Sequence, residues 1–457
     1  MSGSTASRDE QTRREEAPDS GSFGAGARVL TIGIASTGVF TFLYLALASR
    51  QLSSSAYGRV SLLWSIMFVI LSVIYRPIEQ LLSRTIAERR ARGLEGHSLR
   101  VPATIQLAFA LTFLAVALAL RPTIEARLFD GSSALYWILV VGVLAYAGSY
   151  FARGWLAGHQ RFALYGSLVF LESTSRFLFA LAAAIGISSG QSAIALGMAV
   201  APFVSLSVVP FAFSRVRKTG HRPSTAGRDA PALDAAAEGP AHAEVEEVVA
   251  DLSLQHGTRF AGSVFAIMLS EQALMNAAVL IVNAKSGPAL SGFVFNVLMI
   301  VRAPLQLFQA IQTSILPHLA GLEARESAEE FARAIRVTVL AIAGFAGACA
   351  LGLLVIGPAV MTAFLGDKGF TYSRGGLALV AVGMGFHLIA GTLNQAALAR
   401  HRAGLAACAW LTSAALFVAW VAAPVVSGEV LRVETGYAGA TFLLSGLLLA
   451  LYRRDHS

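Results

Sequence analysis

Charged and amide side chains set inside long apolar runs are the residues of this chain that could do chemistry. Glu172 and Arg176 lie four apart on one helical face, and Arg302 stands in a run with Asn296, Gln306 and Gln309. Arg76, Glu79 and Gln80 close another apolar run, and Glu271 and Asn276 share a third. A charge inside a bilayer costs several kcal/mol unless it pairs or faces water, so each group needs a partner or a polar hollow. A guanidinium stays charged at low dielectric and its planar fork donates paired hydrogen bonds, which suits phosphate oxygens. The neighbouring amides suit hydroxyl-rich ligands, and Glu79, Glu172 and Glu271 are candidates for ion coupling or for ion pairs. Structural readings stand beside each: Arg76 snorkelling to the interface, Glu172 and Arg176 as a closed intrahelical pair, and Arg302 neutralised by Glu271. His387, Asn394 and Gln395 are weaker signals, and a lone buried His is more often a hydrogen-bonded packing residue than a proton relay.

The elements that must carry these residues are membrane helices. The chain has 457 residues, 55% hydrophobic and only 14% charged, with a mean hydropathy of +0.64. That much apolar surface has no soluble core to enter. Spans of about 20 apolar residues are required, because lipid cannot satisfy backbone polar groups. Twelve are expected, at 28–49, 58–76, 103–120, 134–152, 162–187, 191–213, 258–283, 287–316, 333–357, 372–398, 404–426 and 435–452. The uncharged run 177–214 is too long for one helix, and Ser188-Ser189-Gly190-Gln191 is a turn signal that divides it. Two prolines, Pro304 and Pro317, predict a bent or broken eighth span.

The polar interval 214–257 separates two hydrophobic halves of similar length. It is basic first, from Arg215 to Arg228, then acidic, and it reads as a linker too poor in apolar residues to fold on its own. Only Ala243 to Leu254 has the pattern of a short amphipathic helix on a membrane surface. The expected divisions are a disordered tail at 1–27, six helices in 28–213, the linker at 214–257 and six helices in 258–454. Arg76…Gln80 and Arg302…Gln306 share their spacing at an offset of 226, whereas Gly58 and Gly292 give 234, so the duplication is legible in plan and not in register.

Lys and Arg concentrate on the side shared by the N-terminal tail, the 84–100 loop, the linker and the C-terminus, which predicts both termini in the cytoplasm and a cytoplasmic-membrane location. The net charge of +8 then serves topology and attraction to anionic lipid heads, with no nucleic-acid partner implied. Cys349 and Cys408 sit in apolar spans and imply no disulfide framework. No phosphate-binding Gly-rich loop with Lys occurs, no Asp-x-Asp pair, and no His/Cys metal spacing. Short outer loops leave no room for catalytic acids. An enzyme is therefore not expected, nor a cofactor.

Several stretches taken in order resemble the MATE-like multidrug, oligosaccharidyl-lipid and polysaccharide exporter superfamily, specifically Wzx-type polysaccharide flippases. They are Tyr57-Gly58, Ser83-Arg84-Thr85-Ile86-Ala87-Glu88, Arg153-Gly154 through Gly158 to Arg161-Phe162 with Glu172 and Arg176, and Gly292 through Arg302-Ala303-Pro304 to Leu316-Pro317-His318-Leu319. The similarity covers roughly 28–454. It implies an all-α integral membrane protein of twelve transmembrane helices in two six-helix bundles, related by a pseudo-two-fold axis, around a central cavity. It further implies a flippase that turns a polyprenyl-diphosphate-linked oligosaccharide across the membrane for envelope polysaccharide synthesis, with membrane lipids and glycan-assembly enzymes as partners. A cationic cavity for the diphosphate and sugar is part of that expectation, with Arg76, Arg176 and Arg302 as its candidate cations. The first span lacks the acid that some cation-coupled relatives carry there, which weighs against the alternative of a cation-coupled multidrug antiporter.

Overall fold

A computed structural model describes residues 20–91, 99–210, 240–324, 328–400 and 402–454, with side chains left out in parts of these ranges. Every secondary-structure element among the described residues is helical. In chain order they are α1 (Ser20–Gln51), α2 (Ser54–Ile70), a π-helical turn at Leu71–Tyr75, α3 (Arg76–Ala91), α4 (Arg100–Ala119), α5 (Arg121–Leu128), α6 (Ser133–Gly158), α7 (Phe162–Ala184) and α8 (Gly190–Leu206). The second half contains α9 (Pro240–Ala324), α10 (Ala328–Leu365), α11 (Arg374–Ala399), α12 (Ala403–Ala422) and α13 (Glu429–Arg453).

Nine stretches among the described residues are long and apolar enough to cross a bilayer. One of them, Gly262–Arg302, is two helices folded at Gly287, and α1 and the shorter α8 complete the set of twelve. The chain is a multi-pass membrane protein. At Gly287 the backbone has φ 82° and ψ 180°, a conformation open to glycine, and Pro288 behind it cannot continue the preceding helix. That pair makes the hairpin between the first and second arms of α9. Helical structure continues through Pro304 and Pro317, so the departure inside α9 falls at Gly287 and not at the prolines expected to break the eighth span. The divided run is found as expected, with α7 ending at Ala184 and α8 starting at Gly190.

A second irregularity places Arg76. Pro77 has no N–H to give the carbonyl four residues back, and its ring crowds that turn. The chain widens into the π turn just before it, where the Arg76 N–H bonds Leu71 O. Such bulges rotate the following residues relative to a regular helix.

The two halves meet where α2 crosses the second arm of α9. A Cβ at Gly292 would lie 2.8 Å from Gly58 Cα, and one at Gly58 would overlap the Pro288 carbonyl. The two glycines of the 234-residue offset thus touch each other. Around this crossing, Tyr57 donates to Asn296 Oδ1 at 2.6 Å, and Asn296 Nδ2 donates to Tyr372 Oη at 3.3 Å and Ser49 Oγ at 3.4 Å. Burial pushes the Tyr372 phenol up to about 12, so it stays protonated within this cluster. The tail residues 1–19 and the linker residues 211–239 lie outside the described residues; from Pro240 the backbone is helical, and the side chains of the expected amphipathic stretch 243–254 are not described.

Candidate functional site: a charged cavity between the halves

Beyond the glycine crossing the helices part around a cavity of about 390 Å³. Its walls come from α1, α2, the π turn, α3, α6, α7 and both arms of α9. Seven side chains of formal charge line it: Arg76, Glu79, Arg153, Glu172, Arg176, Glu271 and Arg302. Counted at formal charge, four cations face three anions, leaving a surplus of one positive charge.

Glu172 is the most heavily hydrogen-bonded of the three carboxylates. It accepts from Tyr146 Oη at 3.1 Å, from Ser149 Oγ at 3.3 Å and from Arg153 Nη2, and Arg176 Nη2 lies 3.5 Å away. Arg153 also stacks 4.6 Å over the Tyr150 ring. Such a buried pair endures only when hydrogen bonds replace the lost water, and here four donors surround one carboxylate. Glu79 accepts from Tyr165 Oη at 2.7 Å. The closed pair and the cavity, offered above as rival readings of Glu172 and Arg176, both hold.

The arginines are less well satisfied. Arg176 is 2% exposed, with its guanidinium 5.2 Å from Trp64 and 5.8 Å from Phe68, rings that stack on each other at 4.4 Å. Its Nε and Nη1 have no hydrogen-bond partner. Arg302 Nη2 donates to Met275 O at 2.8 Å and Asn276 Oδ1 at 3.0 Å, the guanidinium lies 4.5 Å over Phe295, and Nε is unpartnered. The expected pairing of Arg302 with Glu271 is replaced by this neutral cradle. Asn276 is aimed in turn by Gln272, whose backbone O and Oε1 accept from its Nδ2 at 3.2 and 3.1 Å. Arg76 and Glu271 line the same space.

The structure therefore brings together Arg76, Arg176, Arg302, Asn276, Glu79, Glu172 and Glu271. Asn296 is elsewhere. Six positions at about 100° each turn it about 120° round the helix from Arg302, and it is engaged in the cluster at the glycine crossing. Gln306 and Gln309 have side chains outside the described residues. By helical rise Arg302 lies about 15 Å and Arg76 about 27 Å beyond the crossing, so the two cations occupy different depths. Sequence reasoning missed Arg153, Tyr146, Ser149, Tyr150 and Tyr165. Their signal was present: Tyr146, Ser149, Tyr150 and Arg153 follow the i, i+3, i+4, i+7 rule of one helical face, but a span drawn to end at residue 152 consigned Arg153 to a loop. His387 is a packing residue in this arrangement, its Nδ1 2.9 Å from Tyr437 Oη in the second half. Among the described residues no cluster of His, Cys, Asp and Glu could hold a metal ion.

No protein-family model matches the sequence, and no curated protein does. Solved structures do match. An inward-facing multidrug resistance MATE transporter of the MOP superfamily superposes with a TM-score of 0.66 at 12% identity, covering 93% of this chain and 97% of that one. This is the MATE transporter fold. The eukaryotic MATE transporter AtDTX14 is similar at a TM-score of 0.63 and 11% identity, with 94% of each chain covered. The Vibrio cholerae MATE transporter VcmN in its bent form gives 0.59 at 12% identity, over 95% of this chain and 97% of that. At such identities the likeness speaks for the MATE fold and leaves cargo to the chemistry of the cavity.

Proposed function

We propose that this chain is a flippase that moves a polyprenyl-diphosphate-linked oligosaccharide across the cytoplasmic membrane, holding the diphosphate in the cavity while the lipid tail stays in the bilayer. The observation that carries the reading is the set of buried guanidinium N–H groups with no acceptor, on Arg176 and Arg302 beside the same hollow. An unpaired buried donor costs about 1–3 kcal/mol, more when charged, and a ligand rich in anionic oxygens removes that cost at several donors together. The surplus positive charge favours the same ligand, and Asn276 and Gln272 offer amide groups to sugar hydroxyls. On the topology expected from the basic loops, the cavity lies toward the cytoplasm and the glycine crossing toward the outside.

In this scheme the two halves rock about the cavity, and the crossing parts as the cavity closes. Replacing Arg302 by Ala is expected to abolish complementation of glycan export at unchanged protein level; normal export would remove Arg302 from the mechanism. The second reading, a cation-coupled multidrug antiporter, is favoured by one feature, Glu271, a carboxylate in the cavity wall with no hydrogen bond or ion pair to a described residue. It predicts drug resistance that depends on Glu271 and on a proton or sodium gradient, with no effect on glycan export.

A further inference from the structure

The far side of the glycine crossing carries a cluster that the cargo-binding reading does not use. A helix leaves its last four carbonyls without intrahelical partners; α1 ends at Gln51, and Leu52 N–H takes up Ala48 O at 3.1 Å. A further part of the cap comes from the other half of the molecule. Lys368, in the loop between α10 and α11 and only 7% exposed, donates from Nζ to Ser49 O and to Leu52 O, the latter at 2.7 Å. Its ammonium lies 5.4 Å over the Tyr57 ring. Ser54 Oγ returns a hydrogen bond to Lys368 O at 2.9 Å, and Ser49 Oγ donates to Leu365 O at 2.6 Å. Arg50, in the last turn of α1, donates in return from Nε to Phe364 O at the end of α10, at 3.3 Å.

The loop is shaped to deliver that lysine. Gly366 and Gly369 have φ of 77° and 75°, the left-handed conformation in which glycine carries no steric penalty. Asp367 Oδ1 accepts from Gly369 N at 2.8 Å and closes the turn locally. The loop is thus a preformed hook whose tip carries the cation.

We propose that Lys368 is an interhalf latch: it holds the outer end shut by capping the C-terminus of α1, and its withdrawal is required for the glycine crossing to open outward. The inference rests on the alternating-opening part of the proposed function and is independent of what is carried. Parting the halves strips the Ser49 and Leu52 carbonyls of their donor, so the latch penalises opening until water replaces it. A hydrogen bond to a charged donor sets an equilibrium by roughly ten-fold or more.

The test is a distance measurement on the full chain in lipid nanodiscs. Cys349 and Cys408 are changed to Ala, spin labels are attached at Gln51→Cys and Thr371→Cys, two exposed positions on opposite halves, and double electron–electron resonance is recorded with and without polyprenyl diphosphate. Lys368→Met is expected to enlarge the long-distance population about ten-fold or more, and Lys368→Arg to stay near the parent. Ser54→Ala, which leaves the lysine in place, is expected to shift the populations the same way by less, and it carries the test if Lys368→Met does not fold. If the parent shows both distances and neither Lys368→Met nor Ser54→Ala moves them, the latch is wrong and alternating opening stands. A single short distance in parent and variants under both conditions overturns the latch together with the two-state transport reading.

Discussion

The two halves share a fold and differ in what they bury. The first half gathers Glu79, Arg153, Glu172 and Arg176 with Tyr146, Tyr150 and Tyr165 against an open cavity. Away from α9, the second half keeps its buried polar groups apart from the cavity: His387 Nδ1 lies 2.9 Å from Tyr437 Oη, Trp410 Nε1 donates to Asn394 Oδ1 at 3.1 Å, and the buried Lys368, Arg432 and Glu434 do not line the hollow. Its contribution to the cavity is α9, through Glu271, Asn276 and Arg302. Duplication of a six-helix plan therefore supplies two frames without supplying two sites. One half sets its charges around the hollow from α3, α6 and α7, whereas the other does so from α9 alone.

Substitutions can break this contrast in graded ways. The largest effect is expected from Glu172→Gln, which leaves Arg153 and Arg176 buried without their counter-charge. Loss of one partner from a buried pair costs about 3–5 kcal/mol, so thermal unfolding in detergent should shift well down, and a combined Glu172→Gln, Arg153→Met change should recover part of the loss. An unchanged unfolding temperature would mean the cavity already hydrates this pair fully. Next comes Tyr165→Phe, which removes the donor to Glu79 and should cost about 1 kcal/mol while weakening export. His387→Phe should cost a similar or smaller amount of stability through the lost bond to Tyr437, and leave export unaltered. Export lost in His387→Phe with stability intact would make the interior of the second half beyond α9 part of the transport machinery and collapse the contrast.

Much of the cavity was legible because charge inside an apolar run stands out against its background. Arg76, Glu172, Arg176, Glu271 and Arg302 could be named on that ground alone, as could the six-plus-six plan from the polar interval between the halves. Depth and azimuth were harder to read. Asn296 looked like part of the Arg302 stripe because both are polar, yet the helical turn between them sends one to the glycine crossing and the other to the cavity. Arg153 was hidden by a boundary drawn six residues short, since α6 extends to Gly158 and carries the arginine inward. The Lys368 cap was illegible in principle: its partners are backbone carbonyls more than three hundred positions away, and carbonyls have no sequence signature.

Tyr57 and Gly58 illustrate the other kind of limit. Their resemblance to a family stretch before the second span is readable, but the reason for the glycine, a backbone-to-backbone approach to Gly292 and Pro288, requires both halves in place. The 226-residue offset between Arg76 and Arg302 was coincidental in depth, whereas the 234-residue offset between the glycines corresponds to a physical contact.

The proposed role of the unpaired guanidinium donors in this cavity is to receive a diphosphate. Native mass spectrometry of the full chain in nanodiscs can compare a polyprenyl diphosphate with the polyprenol of equal chain length, for the parent and for Arg302→Ala and Arg176→Ala. The diphosphate is expected to bind at least ten-fold more tightly than the alcohol to the parent, and either substitution to remove most of that preference. Equal binding of the two lipids, or a preference that survives both substitutions, would contradict that role.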